Sequence, residues 1–167
     1  MKLLRVGEKE REKPAILDIN NVTRDLSSII KDFDPENLKI DTISKLKNLN
    51  LETLPEIKSS ERIGACINKP GKFVAIGLNY SDHAKETGLK TPTEPIVFMK
   101  ATSSICGPND DIEMPHDSTK LDWEVELGIV IGKEAKNISK EEASSYILGY
   151  CAVNDVSERE WQIEKLG

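Results

Sequence analysis

Basic charge is in short supply. Lys and Arg total 23 against 29 Asp and Glu, a formal net charge of 23 − 29 = −6. No stretch reads as a basic patch, which excludes nucleic acid and an anionic membrane as main partners. Long apolar runs are missing too. The longest, Leu127–Ile131 and Ile96–Met99, fall far short of the ~20 residues that a spanning helix needs. Histidines number only two, His83 and His116, so a His-rich zinc site is not expected. The three cysteines, Cys66, Cys106 and Cys151, are odd in number and contain no CxxC pair. They exclude a disulfide scaffold and read as reduced, partly buried thiols. The opening MKLLRVGEKERE turns to charge at once and is not a secretory signal. What is present is an ordinary balance, 38% hydrophobic and 31% charged over 167 residues. That balance predicts a soluble, cytoplasmic globular chain, long enough for one domain or for a small domain plus part of another.

Residues 1–50 read as a small α+β unit. Lys2–Val6 and Ala15–Ile19 have strand patterns, the second ending at the turn-forming Asn20-Asn21. Asp34-Pro35 is a helix start, followed by a rough apolar stripe of Leu38, Ile43, Leu46 and Leu49. Leu51–Gly64 shows no clear period and reads as a linker. Beyond it, Lys72–Gly77 and Ile96–Lys100 read as strands, with a short helix between Asn79 and Gly88. Gly107–Asp111 is a turn, Leu121–Ile131 a long strand and Tyr150–Asn154 another. Ser139 with Glu142, and Ser157 with Glu160, have the spacing of capping boxes and predict two helices. The second unit has few strands to pair, which suggests a fragment whose C-terminal part is absent.

Chemistry concentrates in the second unit. Alternation along LDWEVELGIVI puts Trp123, Val125, Leu127, Ile129 and Ile131 on one face, expected to be the core face, and Asp122, Glu124 and Glu126 on the other. Carboxylates two residues apart on a strand lie roughly 7 Å apart and repel. A hard divalent cation between them, Mg²⁺, Mn²⁺ or Ca²⁺, turns that repulsion into binding, whereas a solvent-facing polar strand side needs no ligand. Asp155 ends the strand YCAVND and supplies a third carboxylate, or else a turn. His83 and Glu86 stand at i and i+3 of the short helix, the spacing of a carboxylate-oriented base or of an exposed pair. Lys100 ends an apolar strand, where an ammonium either reaches water or points into a pocket to hold substrate charge. Arg159 and Glu158 read as solvated charges at a helix start, and His116 as a loop residue.

Taken together, GLNYSDHAKE, PIVFMKATSSICGPND, DWEVELGIVIGK and GYCAVNDVSERE resemble the fumarylacetoacetate hydrolase family in identity, order and spacing. The first 60 residues also resemble the N-terminal segment of a bacterial branch often labelled ureidoglycolate lyase or 2,4-diketo-3-deoxy-fuconate hydrolase. The resemblance implies an α+β chain: a small N-terminal α+β domain and linker at 1–62, then residues 63–167 as the incomplete N-terminal part of a β-rich catalytic domain, a mixed β-roll with short helices. It implies Glu124, Glu126 and Asp155 as metal ligands, His83 and Glu86 as a base dyad, and Lys100 as the strand-end lysine. Tyr80 and Arg159 join Lys100 as candidates for substrate contact. The implied activity is Mg²⁺-dependent (or Mn²⁺- or Ca²⁺-dependent) C–C hydrolysis of a small-molecule 2-oxo or 1,3-dicarbonyl acid by a homodimer. Lyase, decarboxylase, hydratase or isomerase chemistry on the same site remains open, as does an inactive metal-binding fragment.

Overall fold

In the computed structural model, residues 1–86, 88 and 90–165 are described, His83 by its backbone. The chain opens with an antiparallel meander of β1 (Lys2–Val6), β2 (Lys13–Leu17) and β3 (Thr23–Asp25) in spatial order. The turn between β2 and β3 is built by Asp18, whose Oδ1 accepts from the Asn20 and Val22 N–H groups at 2.8 and 2.9 Å. Its Oδ2 takes the Arg24 guanidinium at 2.9 Å. β3 was not anticipated, because Thr-Arg-Asp carries no apolar alternation. The helix start expected at Asp34 is instead a single turn. Asp34 Oδ1 accepts from both Glu36 and Asn37 N–H, satisfying the backbone locally, and α1 begins later, at Ile40–Lys47.

Most buried apolar side chains belong to this first unit. Ile16, Leu26, Ile30, Phe33, Leu38 and Leu46 form one cluster, with Ile67 and Leu148 packed against it from the remainder of the chain. Residues 51–64 are more than a linker. Ile63 bridges to Val6 and Glu56 to Arg24 as added antiparallel pairings. An ion network fastens the joint. Buried Arg5 holds Asp32 and Glu12, and Arg62 holds Glu12 at 2.8 Å and Asp110 at 2.5 Å. Asp110 in turn accepts from Gly107 N–H, closing the expected turn. Arg62 and that backbone donor hold the Asp110 carboxyl at about 2, well below its usual value.

The second unit is β-rich with short helices, as expected. β4 (Val74–Gly77) pairs with β5 (Ile96–Met99), and α2 (Ser81–Glu86) lies between them in sequence. The long strand expected over 121–131 is interrupted at Trp123-Glu124. It becomes β6 (Leu121–Asp122), paired with β9 (Ser157–Glu158), and β7 (Val125–Ile131), paired with β8 (Ile147–Asn154). Every ladder among the described residues is antiparallel.

Three further expectations are corrected. The Ser139–Glu142 box forms, but the helical turn it opens ends at Tyr146. Ser157 does not cap a helix. It lies in β9, and the Glu158 carboxylate takes the Trp161 N–H at 2.7 Å ahead of a wide π-helical segment, Glu160–Lys165. Finally, the face of Trp123, Val125, Leu127, Ile129 and Ile131 is not a core face. Val125 is 71% and Ile131 61% exposed, while Glu126, Gly128 and Val130 are the half-buried side. Alternation assigned the two faces correctly. It could not say which one the rest of the chain would cover.

Candidate active site at a broken strand pair

The site grows out of that interruption. The β6–β9 ladder pairs Asp122 with Ser157, and the β7–β8 ladder pairs Val125 with Asn154. The register is the same on both sides of the gap, so Glu124 lies opposite Asp155. The backbones agree, with Asp155 N–H donating to the Glu124 carbonyl at 2.8 Å, and the Glu124 N–H is taken by the side chain of neighbouring Asn154, at Oδ1, 3.1 Å away. Like charges directly opposite on neighbouring strands repel. Two cations answer that repulsion. The Arg159 guanidinium pairs with Glu124 and reaches Asp122 Oδ2 at 3.0 Å. The Lys100 ammonium pairs with Asp155, with the Val156 carbonyl 3.4 Å away. Burial works against the Arg159 charge, but its carboxylate partners prevail and raise its pKa.

Each partner is placed by its element. Lys100 follows β5, anchored by its N–H on the Phe73 carbonyl at 2.9 Å. Arg159 follows β9, its N–H on the Lys120 carbonyl at 2.9 Å, and its guanidinium also holds Gln162. Sequence reading took Arg159 by charge alone as solvated. The β6–β9 pairing turns it onto Asp122 and Glu124, a contact no local pattern could show. Glu126 is half-buried on β7. Tyr80 lies beside it, its hydroxyl oxygen accepting the Leu127 N–H at 3.1 Å. Tyr80, Glu126, Tyr150 and Cys151 line a shallow groove over β7 and β8. Glu86 ends α2 and is exposed. The His83 side chain, the other half of the expected dyad, lies outside the described residues.

Whether a divalent cation fits can be judged from the donors. Glu124, Glu126 and Asp155 offer hard oxygens and net negative charge, as Mg²⁺, Mn²⁺ or Ca²⁺ require. Asp155 Oδ1 is buried without an aligned hydrogen-bond donor among the described residues, its counter-charge being the Lys100 ammonium. In donor type the set fits. In this conformation Glu124 and Asp155 turn to Arg159 and Lys100, and among the described residues no three Asp, Glu, His or Cys side chains converge on one centre.

The sequence profile described as fumarylacetoacetate (FAA) hydrolase C-terminal matches residues 72–166, more than half of the chain and all of the site just described. The chain belongs to the fumarylacetoacetate hydrolase family. A relative from Burkholderia ambifaria, named only "Putative hydrolase", is 53% identical over the whole chain, which covers 59% of that protein. A solved fumarylacetoacetate hydrolase from Exiguobacterium antarcticum superposes with a TM-score of 0.78 at 28% identity, covering 99% of this chain and 59% of that one. A solved 5-carboxymethyl-2-hydroxymuconate delta-isomerase from Mycobacterium smegmatis gives a TM-score of 0.69 at 29% identity, covering 97% and 57%. The chain thus spans about three-fifths of the length of these relatives. Family members are enzymes, hydrolases and isomerases among them, and are generally divalent-metal dependent. Among the described residues no helix is long and apolar enough to cross a membrane.

Proposed function

We propose that this chain carries the acidic part of the active site of a metal-dependent hydrolase that cleaves a C–C bond in a 2-oxo or 1,3-dicarbonyl acid. The observation that supports this reading is the placement of Glu124 opposite Asp155, with a lysine and an arginine held against them. Such a cluster balances charge while keeping both signs ready for a ligand. Glu124, Glu126 and Asp155 would hold the divalent cation, Mg²⁺ or Mn²⁺ in preference to Ca²⁺, once Arg159 and Lys100 turn away from them. When bound, the cation supplies Lewis acidity toward a carbonyl oxygen.

The remaining work falls to the chain's own side chains. Glu86 orients His83, and His83 takes a proton from water as the resulting hydroxide adds to the substrate carbonyl. The adjacent C–C bond breaks, its electron pair passing to the enolate of the departing fragment. Lys100, released from Asp155, faces that negative charge, while Arg159 and the Tyr80 hydroxyl contact the substrate acid. The assembly is a homodimer in the cytoplasm. Isomerisation is the second reading, favoured by the structural likeness to a muconate delta-isomerase, and it needs the proton transfers without the water attack.

The test is an assay of the native-length protein with Mg²⁺ or Mn²⁺ against acylpyruvates, diketo sugar acids and ureidoglycolate. Cleavage of a dicarbonyl acid is expected. Double-bond migration alone would install the second reading. In titration calorimetry, Glu126→Gln weakens Mn²⁺ binding at least tenfold, about 1.4 kcal/mol, and unchanged affinity would remove the metal assignment. His83→Ala lowers turnover by about 10²–10⁴ with metal affinity intact, and full activity in that variant would leave the dyad without a role.

A further inference from the structure

The chain enters α2 through a strained turn. β4 ends at Gly77, and Leu78 follows with a φ of 51°, in the left-handed region that residues other than glycine occupy only at a cost. Two residues on, Tyr80 serves two elements at once. Its backbone carbonyl accepts the Ala84 N–H at 3.2 Å, which opens α2. Its side-chain hydroxyl accepts the Leu127 N–H of β7 at 3.1 Å. Among the described residues β7 is paired along one edge, by β8. The phenol oxygen thus takes an N–H of β7, the part that a carbonyl of a neighbouring strand plays in a ladder.

Both ends of this bond carry residues of the proposed reaction. α2 contains His83 and Glu86. Ala84, between them, is 1% exposed, so α2 is packed at its middle as well as tied at its start. On the other side, the Leu127 N–H belongs to the peptide plane that joins Glu126 to Leu127. Holding that plane restrains the backbone of Glu126, and with it the heading of a half-buried carboxylate beside Tyr80.

We propose that Tyr80 is a positioning residue, a latch that holds the helix of the base dyad against the carboxylate strand. Its effect on turnover rests on the reaction proposed above; the latch itself does not. The role is compatible with substrate contact by the same hydroxyl. An oxygen that accepts from Leu127 keeps its own hydrogen, so the phenol holds β7 and still donates to an acid oxygen. The latch works through distance. A general base must lie within hydrogen-bond reach of the water it activates, and a misplacement of about 1 Å costs about a hundredfold in rate. The tyrosine ring is a stiff spacer that turns about two side-chain bonds only.

The experiment uses Tyr80→Phe in the native-length protein, which keeps the ring and removes the oxygen, with two readouts. Amide-resolved hydrogen exchange without substrate should show Leu127 and Ala84 exchanging about fivefold faster, the worth of one neutral hydrogen bond. Ile16, in the core of the first unit, should be unchanged. Steady-state kinetics with Mg²⁺ should show kcat lowered about tenfold or more, beyond any rise in KM. A raised KM with kcat intact would reduce Tyr80 to a substrate contact and overturn the latch. Unchanged exchange at Leu127 would overturn it as well, and so would Ile16 speeding up to the same degree, which is general destabilisation. A wild type that cleaves no dicarbonyl acid would remove the proposed reaction, with the exchange readout still deciding the latch. Should the variant fail to fold, a Leu127 amide exchanging at the open-chain rate in the wild type overturns the proposal, and a protected one supports it.

Discussion

Replacing Arg5 by methionine keeps the aliphatic stem and removes a guanidinium that is only 4% exposed. That group donates to Asp32 Oδ1 and Oδ2 at 2.7 and 3.0 Å, to Glu12 at 3.3 Å and to the Ala65 carbonyl at 3.3 Å. Breaking a buried ion pair from one side costs about 3–5 kcal/mol, because the other charge stays behind. Here the carboxylates keep some help. Asp32 retains Asn68 Nδ2 and the Phe33 N–H, each at 2.7 Å, and Glu12 retains Arg62 at 2.8 Å. The expected loss is therefore at the low end, ~3 kcal/mol. Urea unfolding of the native-length protein should show it as a lower midpoint with an unchanged slope.

The pH dependence adds a second check. Burial opposes ionisation of Asp32 and Glu12, yet their arginine partners outweigh it and both titrate below the usual range. A carboxyl lowered on folding stabilises the protein above its ordinary pKa of ~4, and that contribution fades as pH falls through the folded value. Without Arg5, burial pushes Asp32 back up, so the variant loses less on acidification. The gap between wild type and variant should narrow from pH 7 to pH 3. A loss under ~1 kcal/mol, or a gap that widens in acid, would refute the assigned role of Arg5.

Phe33→Ala empties the centre of the core cluster, where Phe33 is 0% exposed. It should cost about 3–5 kcal/mol in the same unfolding assay, and a loss below ~1.5 would mean that this cluster does not carry the fold. Asp110 should titrate at about 2 in carboxyl NMR. Arg62→Gln should move it up toward 3.8, and an unmoved midpoint would dissociate the two groups. The Glu126→Gln and His83→Ala outcomes given above test the metal and base assignments separately.

Elements read well from local signals wherever one strand or turn could satisfy itself. β1, β5 and the Gly107–Asp110 turn fall where patterning put them, and the Ser139–Glu142 pair makes its reciprocal bonds. Local reading failed where a competing partner lay nearby or far away. Asp34 satisfied a turn in place of a helix. Ser157 was drawn into a ladder with Asp122, and Trp123-Glu124 fell between two ladders and outside both. The candidate site shows the same division. Every acidic, basic and thiol group in it was visible as a residue. The opposition of Glu124 and Asp155 and the grip of Arg159 on Glu124 were not.

By itself the sequence determined the family, the alternation that sorts acidic from apolar faces, and the stock of hard oxygen donors. These depend on residue identity and short spacing, which a linear chain carries intact. The tertiary structure alone decided which face of β7 is half-buried, which carboxylate stands against which, and which cation answers each. Those are properties of pairing between segments about thirty residues apart or more, where register sets distance and distance sets the electrostatic energy.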